Sequence, residues 1–116
     1  MKGQMAWLLR EGDVLASLEI LDQRATRIRG LLGRPHLVGD AAVLLRPAKA
    51  VHTFGMTRPL DVVLCDADMV ILCTWCFLPP RRLTRPRRVG RCVVEAEAGF
   101  VERWGLRPGD RLEVKE

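Results

Sequence analysis

The sequence predicts an all-β chain with minor α content, folded as a compact sandwich of jelly-roll type or as a barrel. We expect about six to eight short strands and one or two short helices. Short apolar runs recur along the chain, separated by Gly, Pro and Asp turn signals. Several runs alternate apolar and polar residues with the period of two typical of a strand. No repeat of about 20–50 residues occurs, which argues against a solenoid or a propeller.

Length and composition set further limits. The 116 residues predict a single domain over 1–116. Aromatic residues make up only 5% and tyrosine is absent, so we expect a core of Val, Leu, Ile and Ala. The net charge of +5 and the pI of about 9.6 permit contact with nucleic acid, anionic lipid or an acidic partner without requiring any of them.

The first third of the chain predicts a hairpin followed by a helix. The turn lies at 11–13, and Val14, Ala16, Leu18 and Ile20 share one face of the second strand at period two. A short helix follows from an Asp22 cap to about residue 33, where Gly and then Pro end it.

The remainder predicts mainly strands joined by turns. The hairpin is the strongest signal, because β-branched runs flank an Asp-Ala-Asp turn. The expected elements in order are a strand of four or five residues from 41 that Pro47 closes, an extended segment or strand at 48–56, a hairpin at 60–78, an irregular Pro-rich stretch at 79–90, a strand at 91–99, a helical turn or short helix at 100–106 and a final strand at 111–114.

Targeting signals are weak. The apolar run from Met5 to Leu9 is cut at Arg10, short of the about seven apolar residues of a signal h-region. No stretch approaches the about 18 apolar residues of a membrane span. We therefore expect a cytoplasmic protein whose four cysteines are thiols.

Three motifs resemble one family. They are "RATRIRGLLGRP", "VHTFGMTRPLDVVLCDAD" and "EAEAGFVERWGLRPGD". Together they resemble domain-of-unknown-function family 192, small bacterial and archaeal proteins. The resemblance implies a compact β-sandwich of jelly-roll type and no established activity. The matching positions are Gly30, Leu31, Leu32, Arg34, Phe54, Met56, Pro59, Leu60, Asp61, Glu95, Ala98, Gly99, Gly105, Gly109 and Asp110.

The chain departs from the family pattern mainly in the central motif. Thr57-Arg58 replaces an Asn-Thr pair, Gly55 is inserted before the methionine, and Phe54 stands where the family has tryptophan. In the first motif, Leu32 replaces the usual methionine.

The central motif is also the candidate binding edge. We expect Gly55 to permit a tight bend that presents the side chains of His52, Thr53 and Met56 outward. The candidate ligand-binding residues are Arg34, His52, Thr53, Phe54, Met56 and Asp61. Three alternatives compete with this interpretation. Phe54 and Met56 can simply cap the core, Asp61 can fix the turn that enters its strand, or His52 and Asp61 can form an acid–base pair.

A basic stretch is the second candidate surface. Its arginines, which could contact an anionic partner, are Arg81, Arg82, Arg85, Arg87, Arg88 and Arg91. Nucleic-acid binding is disfavoured because the stretch lacks aromatic residues and no reader motif accompanies it. A solvated, proline-extended loop is the simplest interpretation.

Cys73 and Cys76 form a CxxC motif, which can be a redox dithiol or half of a zinc site. A strand places two residues three apart on opposite faces, and no second CxxC supplies the remaining zinc ligands. We therefore expect buried thiols, with no metal and no cofactor.

These patterns favour an uncharacterised, non-enzymatic accessory domain that binds a small ligand or a protein edge near residues 52–61, as a monomer or weak dimer. Two alternatives remain. One is a small hydrolase-like enzyme using His52 and Asp61, and the other is an anionic-partner or nucleic-acid module working through residues 81–91.

Overall fold

The computed structural model describes residues 4–22 and 41–116. Within these ranges the chain forms seven strands and one short helix. Among the described residues, no helix is long and apolar enough to cross a membrane. The elements are β1 Gln4–Arg10, β2 Asp13–Leu21, β3 Ala41–Leu45, β4 Leu60–Cys65, β5 Ile71–Leu78, β6 Cys92–Glu97, α1 Phe100–Trp104 and β7 Glu113–Lys115.

The strands form one curled sheet in the order β5-β4-β6-β3-β2-β1-β7. Only β2 and β3 pair in parallel, and the other neighbours are antiparallel. The all-β prediction is therefore confirmed, as a seven-stranded half-barrel.

The curl brings the two ends of the sheet together. The segment that leads into β7 contacts the start of β5 through a bridge between Val70 and Arg111. The Ile71 N–H donates to the Asp110 carbonyl at 2.8 Å, and the Leu112 N–H donates to the Met69 carbonyl at 2.9 Å. These bonds satisfy backbone groups that an open sheet edge would leave exposed.

The inner face of the curl carries the larger core. Leu8, Leu18, Leu44 and Val63 are buried in one cluster, and Phe100 of α1 packs into the same cluster. The outer face is also apolar over its centre, where Val62, Leu64 and Val93 are buried together. Because both faces of the central strands are buried, the outer face needs a cover, and two irregular segments at 48–56 and 79–91 supply it.

The turns follow the sequence signals. Glu11 and Gly12 have φ of 51° and 85°, the left-handed pair that a two-residue hairpin turn requires. In the β4–β5 turn, Oδ1 of Asp66 accepts the N–H groups of Asp68 and Val70 at 2.9 and 3.0 Å. The hairpins, the strand β3 and the helical turn α1 are all confirmed.

Two local predictions are decided by the structure. Of the two alternatives for 48–56, the strand is wrong, because the segment is irregular and contributes only a single bridge. Val14 is exposed rather than buried with Ala16, because the β1–β2 register shifts between Leu8 and Leu9. The bulge turns Leu15 into the core instead. The helix predicted from Asp22 to residue 33 lies outside the described residues.

A substitution at Gly90 tests how closely the segment 79–91 approaches the sheet. A Cβ at Gly90 would lie 3.0 Å from Cδ1 of Leu64 and 3.1 Å from the Arg87 carbonyl oxygen. We expect Gly90→Ala to lower the free energy of unfolding by about 1–3 kcal/mol through overpacking, measured by urea denaturation. The control is Gly12→Asn in the open β1–β2 turn, where asparagine tolerates positive φ and the change should stay within about 0.5 kcal/mol. Equal stability of the two variants would contradict the close approach.

Candidate functional site

The candidate site lies on two segments, 48–56 and 79–91, which we call the paired loops. Backbone hydrogen bonds join them along their length. The Thr53 N–H donates to the Arg82 carbonyl at 2.8 Å, and the Thr84 N–H donates to the Val51 carbonyl at 3.0 Å. Further along, the Ala48 N–H donates to the Arg91 carbonyl at 3.0 Å. The basic stretch is therefore fixed against its neighbour rather than extending freely into solvent.

Two buried threonines reinforce the pairing. Thr53 has 0% exposure. Its Oγ1 donates to the Pro79 carbonyl at 2.7 Å and accepts the Arg82 N–H at 2.8 Å. On the other side of the bridge, Oγ1 of Thr84 accepts the Val51 N–H at 2.9 Å. The prediction that Thr53 points outward is wrong, because its hydroxyl forms hydrogen bonds with backbone groups between the loops.

The outward surface of the paired loops carries an apolar ridge, formed by His52, Phe54 and Leu83. His52 lies opposite Leu83 in the bridge, so their side chains share a face. The His52 ring stacks on Phe54 with centroids 5.8 Å apart. Phe54 and Leu83 are 52% and 69% exposed. Nδ1 of His52 is buried, and it has no hydrogen-bond partner in the described part of the chain.

Gly55 provides the predicted bend. Its φ is 87°, and the Met56 N–H donates back to the Thr53 carbonyl at 3.1 Å. Met56 packs on the outer core while Phe54 points into solvent. The core-capping alternative is therefore right for Met56 and wrong for Phe54.

All six arginines of the basic stretch are exposed. Within residues 4–22 and 41–116, none of them forms an ion pair with a carboxylate. Arg91 instead donates to the carbonyl groups of Arg88 and Gly90. Their charges are thus exposed along the second of the paired loops.

Asp61 lies on the other side of the sheet. Its neighbours Leu60 and Val62 pack on the outer core, so its own side chain points inward, where it is 1% exposed. Oδ1 accepts the Phe77 N–H at 2.9 Å and Oδ2 accepts the Val101 N–H at 2.8 Å. The carboxylate therefore ties the bulge in β5 to the first turn of α1.

This placement corrects two expectations. Asp61 does not cap the turn that enters β4, because both its oxygens bind backbone amides elsewhere. It also makes no hydrogen bond with His52, so the predicted acid–base pair does not form. Arg34 lies outside the described residues, and the ligand-binding set as a whole stays a prediction.

The CxxC cysteines face opposite sides, as predicted. Cys73 packs on the outer core. Desolvation, followed by the nearby negative charges of Asp61 and Glu102, raises the pKa of the Cys76 thiol. The expectation of buried thiols is wrong for Cys76, which is exposed beside the β5 bulge, where Phe77 has a φ of 56°. Among the described residues, no group of three or more His, Cys, Asp or Glu is arranged to hold a metal.

Thr84 and Leu83 are the residues that sequence analysis missed. Polar and apolar residues alternate only over the three residues Arg82, Leu83 and Thr84, which is too short a run to indicate a strand.

Comparison with known proteins agrees with this architecture. The model of the family DUF192, described as an uncharacterized ACR, matches residues 7–114. The chain belongs to this family, as its motifs predicted. No curated protein matches the chain.

Two solved structures share the fold. One is a protein of unknown function from Novosphingobium aromaticivorans, with a TM-score of 0.79 at 18% identity over 94% of this chain and 83% of that one. The other is a putative transcription regulator from Sinorhizobium meliloti, with a TM-score of 0.80 at 24% identity over 98% of this chain and 94% of that one.

Thr53 tests the pairing of the loops. Thr53→Val keeps the shape but leaves the Pro79 carbonyl and the Arg82 N–H without the hydroxyl. We expect the free energy of unfolding to fall by about 1–3 kcal/mol, measured by urea denaturation. Thr57→Val, at an exposed position two residues past the bend, is the matched control and should change stability by about 0.5 kcal/mol or less. A Thr53 variant as stable as this control would show that the hydroxyl does not hold the loops.

A substitution at Asp61 tests whether its carboxylate holds the amides of Phe77 and Val101 on the inner side of the sheet. Asp61→Asn keeps the size but offers only one acceptor oxygen to two backbone amides. We expect a loss of about 1–3 kcal/mol in unfolding free energy and weaker amide protection at Phe77 or Val101 in hydrogen exchange. Asp68→Asn, in the exposed turn, is the control. Unchanged protection at both amides would contradict the bridging role.

Proposed function

We propose that this chain is a non-enzymatic accessory domain, folded as one unit over residues 1–116, that binds an acidic protein segment along the paired loops. The observation that carries the proposal is the apolar ridge of His52, Phe54 and Leu83, exposed on paired loops that also carry six exposed arginines. An acidic segment with one or two apolar side chains complements both features. The apolar groups would pack on the ridge and the carboxylates would pair with guanidinium groups.

The ridge has the properties of a binding surface. Clustered apolar side chains on a surface often mark interaction sites. Aromatic residues and arginine are enriched in protein interfaces. The hydrogen bonds of Thr53 and Thr84 fix the backbone beneath the ridge, so binding would cost little conformational entropy.

The geometry favours binding over catalysis. A hydrolase-like enzyme would need His52 to meet Asp61, whose two oxygens hold backbone amides on the opposite face of the sheet. The hydroxyl nearest His52, that of Thr53, is bonded to backbone groups and buried.

A nucleic acid is the less favoured anionic partner. Single-stranded binding relies on several aromatic faces on which bases stack, and on the ridge the His52 ring already stacks on Phe54. The Sinorhizobium meliloti protein is titled a putative transcription regulator, and at 24% identity the likeness extends to the fold alone.

The proposal also includes the compartment and the assembly state. All four cysteines are free thiols, which suits a reducing compartment such as the cytoplasm. We propose that the domain acts there as a monomer or weak dimer.

Fluorescence anisotropy tests the proposal with a labelled peptide in which glutamates flank a central Leu-Phe pair. We expect binding that weakens as salt rises. Phe54→Ala with Leu83→Ala should weaken it at least about tenfold, equal to about 1.4 kcal/mol. Arg81→Ser with Arg82→Ser should do the same and reduce the salt dependence.

Matched controls remove equivalent groups elsewhere. Met5→Ala with Val14→Ala deletes two exposed apolar side chains, and Arg107→Ser with Lys115→Ser deletes two exposed charges. Both should leave affinity unchanged. A labelled oligothymidine and an all-glutamate peptide are titrated in the same assay as alternative anionic ligands. The proposal fails if no peptide binds, if the controls weaken binding as much as the site variants, or if the oligonucleotide binds more tightly than the peptide.

A further inference from the structure

Three sulfur atoms meet at one end of the half-barrel, away from the paired loops' ridge. Cys65 ends β4 and Cys92 begins β6, and the two residues lie directly opposite each other in the antiparallel register. Their thiols are joined by a hydrogen bond. Sγ of Cys92 also lies 3.3 Å from Sδ of Met69. Two strands and one turn thus bring two thiols and a thioether together.

The sulfur cluster is shielded but lies close to the surface. Cys65 and Cys92 are 0% and 5% exposed and belong to the inner core. Met69 is half-buried and holds a φ of 63° in the β4–β5 turn. Asp66 fixes that turn through its bonds to the backbone of Asp68 and Val70.

The donor set is selective for a soft metal ion. Thiolate and thioether ligands favour Cu(I), whereas Ca²⁺ and Mg²⁺ require oxygen ligands. Structural zinc takes four ligands drawn from Cys, His and carboxylates, and the described residues bring no such group together. Three sulfur donors in an apolar, shielded setting suit the low coordination number of Cu(I).

We propose that Cys65, Cys92 and Met69 form a three-coordinate Cu(I) site beneath the β4–β5 turn. On binding, the two cysteine thiols lose their protons and form two Cu–S bonds. The Met69 sulfur forms the third Cu–S bond by donating a lone pair to the copper ion. Two protons leave to solvent and no electron is transferred, so copper stays Cu(I) and the cysteines stay reduced. Because protons are released, the apparent affinity rises with pH.

The site is tested by anaerobic titration of the full chain with Cu(I) in competition with a bicinchoninate chelator. A Cys73→Ser, Cys76→Ser double variant serves as the reference, because it removes the exposed thiol that could bridge two molecules through copper. We expect the wild-type chain and this reference to bind one equivalent with the same affinity. X-ray absorption at the copper edge should then show sulfur as the only nearest neighbour.

Variants of the cluster identify the ligands. In the reference background, Cys65→Ser and Cys92→Ser should each weaken Cu(I) binding at least about 100-fold, and Met69→Leu about tenfold. Circular dichroism checks that each variant is folded. If a core cysteine variant unfolds, two other measurements still test the site. They are the Met69→Leu variant, which conserves side-chain volume at a half-buried position, and the X-ray absorption spectrum of the wild-type chain.

Several results would overturn the proposal. These are no binding by the wild-type chain, nitrogen or oxygen neighbours of copper, loss of binding in the Cys73, Cys76 reference, or unchanged affinity in a folded Cys65 or Cys92 variant.

Discussion

The structure depends on a sheet that must bury both of its faces. Every residue of β4 is buried, and β3 and β6 are nearly so. Successive side chains on a strand point to opposite sides, so these strands place half of their apolar residues inside the curl and half outside it. The inner half packs on itself and on α1. The outer half would face water if the paired loops did not cover it.

This requirement explains why the candidate site is held by many hydrogen bonds although it contains little regular structure. A loop that covers a core must satisfy its own backbone polar groups away from water. The paired loops do so by bonding to each other, with the hydroxyls of Thr53 and Thr84 filling places that a regular ladder would occupy. The same pairing leaves the side chains of His52, Phe54 and Leu83 on the outward surface. The same sheet serves the sulfur cluster, since the register of β4 and β6 is what sets Cys65 opposite Cys92.

The parts of the fold that could be predicted are those governed by local chemistry. The β1–β2 turn follows from Glu-Gly-Asp, the β4–β5 turn from Asp66, and α1 from its flanking glycines. The bulge in β2 at Leu15 could not be predicted, because the register shift opposite Leu8 and Leu9 is set by how the curled strands meet. At the site, Gly55 marked the bend correctly. Asp61 was assigned to the nearest turn, since its real partners, the amides of Phe77 and Val101, lie 16 and 40 residues away.

The sequence by itself determined the class of fold, the order of most strands and the family, because period, turn chemistry and motif spacing are properties of neighbouring residues. Tertiary structure alone decided which side of the sheet each reactive group occupies. It separated His52 from Asp61, joined the basic stretch to the segment around Thr53, and gathered Cys65, Met69 and Cys92 at one end of the half-barrel. These outcomes depend on strand register and on the curl of the sheet, and both are set by long-range packing rather than by any short stretch of chain.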